Sequence, residues 1–488
     1  MLSNTIVNRK KALQMLAGAV IAMNKEVPAS RADTPNIIVI LTDDQGFGDI
    51  GVYGAKGYKT PHLDRMAAEG RRFTNFHVAQ PVCGASRAAL LTGCYPNRLG
   101  LHGAPSPGSP IGIASTETTL AQLLKQRGYA TGMAGKWHLG DQKEFLPTHR
   151  GFDEYFGLPY SNDMWPLHPE VPERYPPLPL IEGDRIIKNG LDHGDQEQLT
   201  TQYTERAVRF IERHKEQPFF FYLAHNMPHV PLHVSKKFKG KSERGLYGDV
   251  IEEIDWSVGE VLKTVERCGI ERDTLVMFLS DNGPWLSYGD HAGSAGPLRE
   301  GKGTSWEGGT RVPFLALWPG RIPAGSVSDE MLCSIDLFPT IARLTGSKLP
   351  DLPIDGLDVW PTLSGQPGAA NSHTAYFWYY EQNQLQAVST GDGRWKLVLP
   401  HAYRTLNGRP GGTAGIPVKY ETRNVEKPEL YDLSMEVSER IDIAAEHPEI
   451  VERLLKEAEK ARADMGDALT NRTGSGLRKP GRVGLPES

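Results

Sequence analysis

The chain has 488 residues, of which 39% are hydrophobic and 23% are charged, and its formal net charge is −5. This length and balance exclude a disordered tail protein, a disulfide-stapled miniprotein and a collagen-like repeat, and they allow a sizeable core. The mild acidity gives no electrostatic footprint for nucleic acid or an anionic membrane, so we expect neither as a nonspecific partner.

Residues 1–32 have the pattern of an export signal. The basic stretch Arg9–Lys11 precedes an apolar run at Ala12–Met23, and small residues follow up to Ala32. Because the run is too short to span a bilayer, the pattern favours a cleaved signal and a periplasmic or secreted protein. The alternative is an amphipathic N-terminal helix, and no later segment is typical of a transmembrane helix.

The pattern of apolar runs in residues 33–360 predicts an α/β domain, which we expect to be the catalytic one. Continuous apolar runs, rich in β-branched and aromatic residues, indicate strands buried on both faces, as in a parallel sheet. These runs are Asn36–Leu41, Phe219–Ala224, Thr274–Leu279 and Val312–Trp318. Helical patterns lie between them, for example at Thr118–Gln126 and Gly248–Glu266. The alternation predicts a large, mostly parallel sheet sandwiched by helices.

The pattern of predicted secondary structure changes over residues 361–466, where short strands alternate with turns. The predicted strands are Ala375–Tyr380, Gln386–Ser389, Arg394–Leu399 and Glu429–Leu433, and a helix is predicted at Pro448–Met465. This indicates a smaller C-terminal antiparallel sheet packed by a helix. Residues 467–488 are rich in Gly, Arg, Pro and Ser, so we expect a flexible tail.

Acidic and amide side chains follow two of the predicted buried strands. Asp43 and Asp44 come directly after the first, and Asp281 and Asn282 follow another. Open α/β sheets place ligands at the carboxyl ends of their strands, and hard oxygen donors suit calcium or magnesium. Either pair alone is a common turn sequence, but three carboxylates crowded together favour a metal site.

A cysteine and an arginine lie together near the start of a predicted helix. Cys83 begins a predicted helix, whose N-terminus favours an anion, and Arg87 lies one turn on. The alternative is a buried thiol beside a surface arginine. The other cysteines, at positions 94, 268 and 333, are expected to be small buried apolar residues, because four scattered cysteines make neither a disulfide framework nor a zinc site.

Lys136 and His138 follow the strand-like segment Tyr129–Ala134 and project to one side of an extended chain. His225 and His229 come after the strand at Phe219–Ala224. A lone histidine is more often structural, but cations and histidines after several strands of one sheet indicate a shared anion site, to which Lys302 is a further candidate.

Together these segments resemble the sulfatases of the alkaline phosphatase-like superfamily, of the arylsulfatase A and N-acetylgalactosamine-6-sulfatase type. The resemblance runs from Pro35 to about Ala444. It is carried by the motifs Cys83–Arg87 with Leu91–Gly93, Gly135–Gly140, and Gly301–Thr304 with Glu307–Gly309.

The resemblance implies hydrolysis of aryl or carbohydrate sulfate monoesters. It implies that Cys83 is oxidised to formylglycine by a formylglycine-generating or equivalent maturation enzyme, and that the aldehyde hydrate is the nucleophile. Ala85 stands where the family usually has proline.

The family pattern also implies residue roles. Asp43, Asp44, Asp281 and Asn282, with modified Cys83, would hold Ca²⁺, with Mg²⁺ as the alternative. Arg87 and Lys136 would neutralise the nucleophile, and His138 would be a base. His229 and Lys302 would bind sulfate and stabilise or protonate the leaving oxygen. Ser161 matches a sulfate-contacting position, and His225 matches less closely.

Two other functions remain open from the residues. A phosphodiesterase or phosphonate monoester hydrolase would use the same tetrahedral geometry, and an unmodified Cys83 would leave a silent sulfated-glycan binding protein. Candidates for stacking on a sugar or aryl ring are Trp165, His168, Tyr175 and Tyr403, although loop aromatic residues more often pack locally.

Overall fold

A ten-stranded sheet forms the centre of residues 34–484, the part of the chain that this computed structural model describes. The predicted export signal lies outside these residues. The strands in chain order are β1 (Asn36–Thr42), β2 (Arg71–Phe73), β3 (Phe76–His77), β4 (Ile111–Gly112), β5 (Ala130–Lys136), β6 (Glu154–Leu158), β7 (Pro179–Glu182), β8 (Arg185–Asn189), β9 (Phe219–Ala224), β10 (Thr274–Ser280), β11 (Phe314–Leu317), β12 (Ser326–Ser328), β13 (Leu332–Cys333), β14 (Ala375–Tyr380), β15 (Gln384–Thr390), β16 (Trp395–Val398), β17 (His401–Thr405), β18 (Glu421–Val425), β19 (Glu429–Asp432) and β20 (Gly481–Arg482).

The α-helices of the described residues connect these strands and cover both faces of the large sheet. In chain order they are α1 (Pro61–Glu69), α2 (Cys83–Thr92), α3 (Leu120–Lys125), α4 (His193–Gln196), α5 (Leu199–His214), α6 (Gly245–Arg267), α7 (Glu307–Thr310), α8 (Leu337–Thr345), α9 (Trp360–Leu363) and α10 (Pro448–Met465). None of these helices is long and apolar enough to cross a bilayer.

The large sheet has the order β12-β2-β11-β10-β1-β9-β5-β6-β7-β8. Its middle five strands, from β10 to β6, are parallel, which confirms the predicted mostly parallel α/β class. The run at Val312–Trp318 was expected to behave like the parallel strands, but β11 pairs antiparallel with β10. An apolar run reports burial on both faces and carries no information on strand direction.

The central strand β1 shows why these runs are continuously apolar. Ile37 and Val39 point into one core, against residues of α2, α3 and α8. Ile38 and Ile40 point into a second core on the opposite face, against α5 and α6. Because successive side chains of a strand alternate between faces, both sides of the sheet must be apolar.

The predicted C-terminal sheet is present, with antiparallel order β14-β15-β16-β19 and α10 packed against it. The prediction of a flexible tail over 467–488 is wrong for residues 467–484. There β20 pairs with β4, and Arg478 Nε lies 2.9 Å from a Glu117 carboxylate oxygen. The high glycine and proline content predicted a flexible segment, but these long-range contacts hold residues 467–484 in place.

A buried ion cluster joins the C-terminal sheet to the large domain. Lys396 on β16 places its ammonium 2.9 Å from Glu307 Oε1 and 2.9 Å from Glu439 Oε1, with all three side chains almost inaccessible to solvent. Glu439 also accepts a 2.7 Å hydrogen bond from the Glu307 backbone N–H. Removing the ammonium would leave the buried Glu439 carboxylate without a cation among the described residues and leave Glu307 with only Arg311, 3.4 Å from its other oxygen.

We therefore expect Lys396→Met to lower the free energy of unfolding by about 3–5 kcal/mol, because the buried carboxylates lose their partner. Urea unfolding followed by tryptophan fluorescence measures this. The control is Lys348→Met, whose lysine side chain is 80% exposed and should cost little. Equal stability of the two variants would contradict the role of the cluster.

Candidate active site

The side chains predicted to carry the chemistry come from different strands but meet at one edge of the large sheet. Asp43 and Asp281 each follow directly on a parallel strand, and the register aligns Thr42 with Ser280. The Asp281 backbone N–H donates to the Thr42 carbonyl at 3.0 Å. Parallel alignment of the two strand ends therefore brings the two acidic pairs together.

The acidic pairs form a single buried cluster. The Asp44 backbone N–H donates to Asp281 Oδ1 at 3.1 Å, and the Asn282 amide donates to Asp44 Oδ1 at 2.7 Å. Asp43 Oδ1 and Asn282 Oδ1, both buried, have no hydrogen-bond partner among the described residues. Oxygens left unpaired in this way are costly unless a further group binds them.

The donor set fits a hard divalent cation. Potential ligand atoms of Asp43, Asp44 and His229 lie within 4.8 Å of one another. Together with the orphaned Asn282 oxygen, the cluster offers mainly carboxylate and amide oxygens, which favour calcium or magnesium over zinc. His229 is an addition to the donors that the sequence predicted.

Three buried cations surround the carboxylates. Arg87 donates through Nε and Nη2 to Asp281 Oδ2 at 3.0 and 2.8 Å, and Lys136 Nζ lies 2.5 Å from Asp43 Oδ2. Lys302 Nζ lies 2.7 Å from Asp44 Oδ1. Each carboxylate thus has a cation of its own, which offsets the cost of burying charge.

The pKa values reflect this arrangement. Burial raises the pKa of Asp43, but Lys136, Arg87 and Lys302 together outweigh it and hold that pKa well below the usual range. Burial and the neighbouring Asp43 raise the pKa of Asp281. Two carboxylates this close resist simultaneous ionisation unless positive charge is added, which is a further reason to expect a cation here.

The residue before Lys136 is a glycine whose backbone packs directly against β9. A side chain at Gly135 would place its Cβ 1.7 Å from the Ala224 carbonyl oxygen, and Gly135 has a φ of +119°. Only glycine allows this approach and this backbone conformation. The glycine in the Gly135–Gly140 motif therefore positions the neighbouring lysine.

Cys83 is the first residue of α2, and its thiol faces a histidine. Its Sγ lies 3.4 Å from His138 Nδ1, while His138 Nε2 lies 3.2 Å from the Pro105 carbonyl oxygen. Since a carbonyl only accepts, the proton belongs on Nε2, and Nδ1 is free to accept one from the group at position 83. Burial, with Lys136 and Arg87, lowers the pKa of His138 well below its usual value, which keeps the ring neutral.

Two residues of this site have left-handed backbone conformations that are unusual for non-glycine residues. Asp44 has a φ of 65° and His138 a φ of 63°. Such conformations cost about 1–3 kcal/mol each and are retained mainly where the surrounding structure or function requires them.

Ser161 and His229 complete the site beside Lys302. The Ser161 hydroxyl lies 3.2 Å from Lys136 Nζ and 3.5 Å from His229 Nε2. His229 Nδ1 donates to the Val230 carbonyl at 2.6 Å, so Nε2 faces the cluster. Burial and Lys302 lower the pKa of His229, which leaves Lys302 as the cation on this side.

His225 lies apart from this set. Its Nε2 lies 3.2 Å from the Ser257 hydroxyl on α6, and burial lowers the pKa of His225 to about 3. Of the suggested stacking residues, Trp165 is buried against His193 and His233, and Tyr403 packs on Trp306. Trp165 therefore packs locally, whereas Tyr403, which lies on β17, also lines a cleft next to Gly303.

Trp285 is a residue of this site that the sequence analysis did not identify. Its half-buried ring lies 4.5 Å from Lys302 Nζ and 5.6 Å from the His229 ring, measured to its centroid. It stands three positions after Asn282, so its place beside the acidic strand end was a usable signal. No feature of the sequence, however, distinguished it from the other loop aromatic residues.

The C-terminal region also reaches the site. Arg404 on β17 donates through Nε to the Lys302 carbonyl at 3.0 Å. Burial raises the pKa of Tyr380, whose side chain lines a cleft together with Gly303 and Arg404. The cleft, of about 310 Å³, is lined by Gly303, Tyr380, Glu381, Gln384, Gln386, Ala402, Tyr403, Arg404 and Thr422.

Comparisons with known proteins agree with this geometry. The family model described as sulfatase matches residues 35–347. Models for the C-terminal regions of N-sulphoglucosamine sulphohydrolase and of aryl-sulfatase match residues 301–405 and 371–477.

Individual relatives cover nearly the whole chain. Arylsulfatase A of Bos taurus is 38% identical over 464 residues, covering 90% of each chain. N-acetylgalactosamine-6-sulfatase of Rattus norvegicus is 38% identical over 445 residues, covering 85% of this chain and 82% of that protein. The crystal structure of the PsFucS1 sulfatase from Pseudoalteromonas sp. superposes with a TM-score of 0.79 at 26% identity, covering 94% of this chain and 93% of that one. The chain therefore belongs to the sulfatase family and is a sulfuric ester hydrolase.

Proposed function

We propose that this protein hydrolyses sulfate monoesters of saccharides, using formylglycine made from Cys83 and a bound divalent cation, Ca²⁺ with Mg²⁺ as the alternative. The observation that carries the proposal is the meeting of Cys83 and His138 with buried carboxylates and buried cations at one sheet edge. Asp43, Asp44, Asp281 and Asn282 would hold the cation, with the modified residue 83 as a further ligand.

When present, the aldehyde hydrate would supply a hydroxyl nucleophile, and the cation would orient it and polarise a sulfate oxygen. Arg87 and Lys136 would then stabilise negative charge on the nucleophile, since both are buried and permanently paired within the cluster. His138, neutral and with Nδ1 facing residue 83, would accept the proton of the second hydroxyl of that residue while its carbon–oxygen bond to sulfate breaks, so that sulfate leaves and the aldehyde is restored.

On the opposite side of the sulfate, Lys302 would bind a sulfate oxygen and stabilise the departing alcohol oxygen. Burial acts to lower the pKa of Lys302, but Asp44 and Cys83 raise it, so its ammonium stays charged. His229 and Ser161 would orient the sulfate through the atoms that face the cluster. Trp285, in contact with Lys302 and His229, would support the ring of the leaving alcohol.

The choice of saccharide esters rests on two supports. N-acetylgalactosamine-6-sulfatase, a relative at 38% identity, is named for a sugar sulfate. The cleft beside Lys302 combines aromatic, amide and carboxylate side chains, the mixture that suits a ring with apolar faces and many hydroxyls. We also propose export to the periplasm or outside the cell, on the pattern of residues 1–32.

We expect Cys83→Ala to lower kcat on a sulfate ester by at least about 10⁴-fold, because the nucleophile is lost. Cys94→Ala, which alters another buried cysteine, is the control and should keep its activity. Mass spectrometry of the peptide that contains residue 83 should show an aldehyde in the active wild type. A fully active enzyme carrying only the thiol would contradict the proposal.

Asp281→Ala should lose the divalent cation and about a hundredfold or more in kcat together, because a ligand and the partner of Arg87 disappear. Elemental analysis of the purified variant and its sulfate release measure the two effects. The matched control is Asp249→Ala, a buried aspartate in the first turns of α6 whose carboxylate binds backbone N–H groups, which should retain the cation. Full activity of Asp281→Ala in excess chelator would refute the metal assignment.

Trp285→Ala should lower kcat/KM for N-acetylgalactosamine 6-sulfate by about tenfold, through loss of ring contact, and leave methyl sulfate within about twofold. Trp285→Phe should recover part of the loss. Equal losses on both esters would show that Trp285 does not contact the leaving group.

The two rival functions give different results in the same assays. A phosphodiesterase or phosphonate monoester hydrolase would cleave an aryl phosphodiester faster than the matched aryl sulfate. A silent glycan-binding protein would bind sulfated sugars and release no sulfate.

A further inference from the structure

Two basic loops meet on the surface, and each follows a strand whose end carries residues of the candidate site. Residues 236–244 contain five basic residues and one acidic residue, Glu243, in a chain whose formal net charge is −5. The backbone N–H of Arg244 donates to the Gly57 carbonyl at 3.1 Å, which joins this loop to residues 56–59 and their two lysines. We call the combined surface the basic face, made of Lys56, Lys59, Lys236, Lys237, Lys239, Lys241 and Arg244.

The larger loop is held in a fixed shape by Asp249. Its Oδ2 accepts a 2.6 Å hydrogen bond from the Gly240 N–H, and its Oδ1 accepts bonds from the N–H groups of Lys241 and Ser242 at 2.9 and 2.8 Å. The carboxylate is thus used by the backbone, not by the lysine side chains. A loop ordered in advance loses little further entropy when it binds a ligand.

The lysines of this loop point outward and lie next to aromatic rings. Lys236, Lys237, Lys239 and Lys241 are all exposed. Lys237 Nζ lies 4.1 Å from the centroid of the half-buried Trp256 ring. Lys239 Nζ lies 3.0 Å from a Glu197 oxygen, and exposed pairs of this kind are weak enough to exchange for another anion.

The basic face lies on the same side of the sheet as the catalytic groups. The loop that contains residues 56–59 leads from β1, after Asp43 and Asp44, to the start of α1. The loop that contains residues 236–244 leads from β9, after His229, to the start of α6. Both therefore connect the carboxyl ends of strands to helix starts, and a chain bound on them would extend toward the site.

We propose that the basic face binds the chain of a sulfated polysaccharide, so that the enzyme holds its polymer while single sulfate groups enter the site. The proposal rests on the proposed function for its choice of polymer, because the adjacent site accepts sulfate esters. The half-buried rings of Phe238 and Trp256 lie among the lysines and give this surface an apolar part, which favours a sugar polymer over a purely ionic partner. The net charge of the whole chain conceals this local surface.

The test compares two variants that remove the same charge. The first replaces Lys236, Lys237, Lys239 and Lys241 with glutamine. The control replaces Lys348, Lys427, Lys456 and Lys460, whose side chains are 80%, 72%, 69% and 70% exposed and lie outside the basic face. Binding of fluorescein-labelled dextran sulfate is measured by anisotropy, at about 50 mM and about 150 mM salt.

The basic-face variant should bind dextran sulfate at least about tenfold more weakly than wild type at the lower salt, and the control within about twofold. Wild-type binding should weaken with salt more steeply than that of the basic-face variant. Both variants should keep wild-type kcat/KM on 4-nitrophenyl sulfate, which shows that they are folded.

Equal losses in the two variants, or no loss in the first, would overturn the proposal. Tighter binding of single-stranded DNA or of phosphatidylserine vesicles to the basic face than of dextran sulfate would overturn the choice of polymer. The anisotropy assay measures binding of dextran sulfate and does not require the enzyme to hydrolyse it. If the wild-type protein binds dextran sulfate but releases sulfate from no ester, the proposed function is refuted and the proposal that the basic face binds a polymer is unaffected.

Discussion

Three buried carboxylates at the carboxyl ends of neighbouring parallel strands are the constraint on which the site depends. Asp43, Asp44 and Asp281 are close enough to share hydrogen bonds, and none is more than slightly exposed. Without counter-charge such a cluster would be prohibitively costly. Arg87, Lys136 and Lys302 provide it, each from a different element of the fold.

The same electrostatic arrangement has the features that sulfuryl transfer requires. Cations that stabilise a buried carboxylate can also stabilise the oxygens of a bound sulfate, because both present negative oxygen atoms. The unpaired oxygens of Asp43 and Asn282 leave a place for one more positive charge. Placing residue 83 at the start of a buried helix adds a further favourable environment for an anion.

The C-terminal region, which includes the separate β17-β18 pair, also holds part of the site in place. Arg404 binds the carbonyl of Lys302, and Lys396 binds Glu307, five residues further along the same segment. The segment that presents Lys302 is thus held at two points by the C-terminal region. The stability of this junction and the position of Lys302 are consequently linked.

Much of the fold was predictable from the sequence because burial leaves a direct signal. Continuous apolar runs located the central strands, and the residues just after them supplied the metal and anion candidates. The antiparallel direction of β11 and the ordered segment 467–484 were not predictable, since strand direction and long-range pairing leave no local pattern. The contact between Arg244 and Gly57, which assembles the basic face, and the contact between Trp285 and Lys302 depend on tertiary structure for the same reason.

The most direct test of the central claim is a crystal structure of the purified, active protein grown with calcium, with anomalous scattering used to locate the ion. We predict one anomalous peak for calcium, bound by oxygens of Asp43, Asp44, Asp281 and Asn282, next to a modified residue 83. Density for an unmodified thiol with no ion between these oxygens, in fully active crystals, would contradict it.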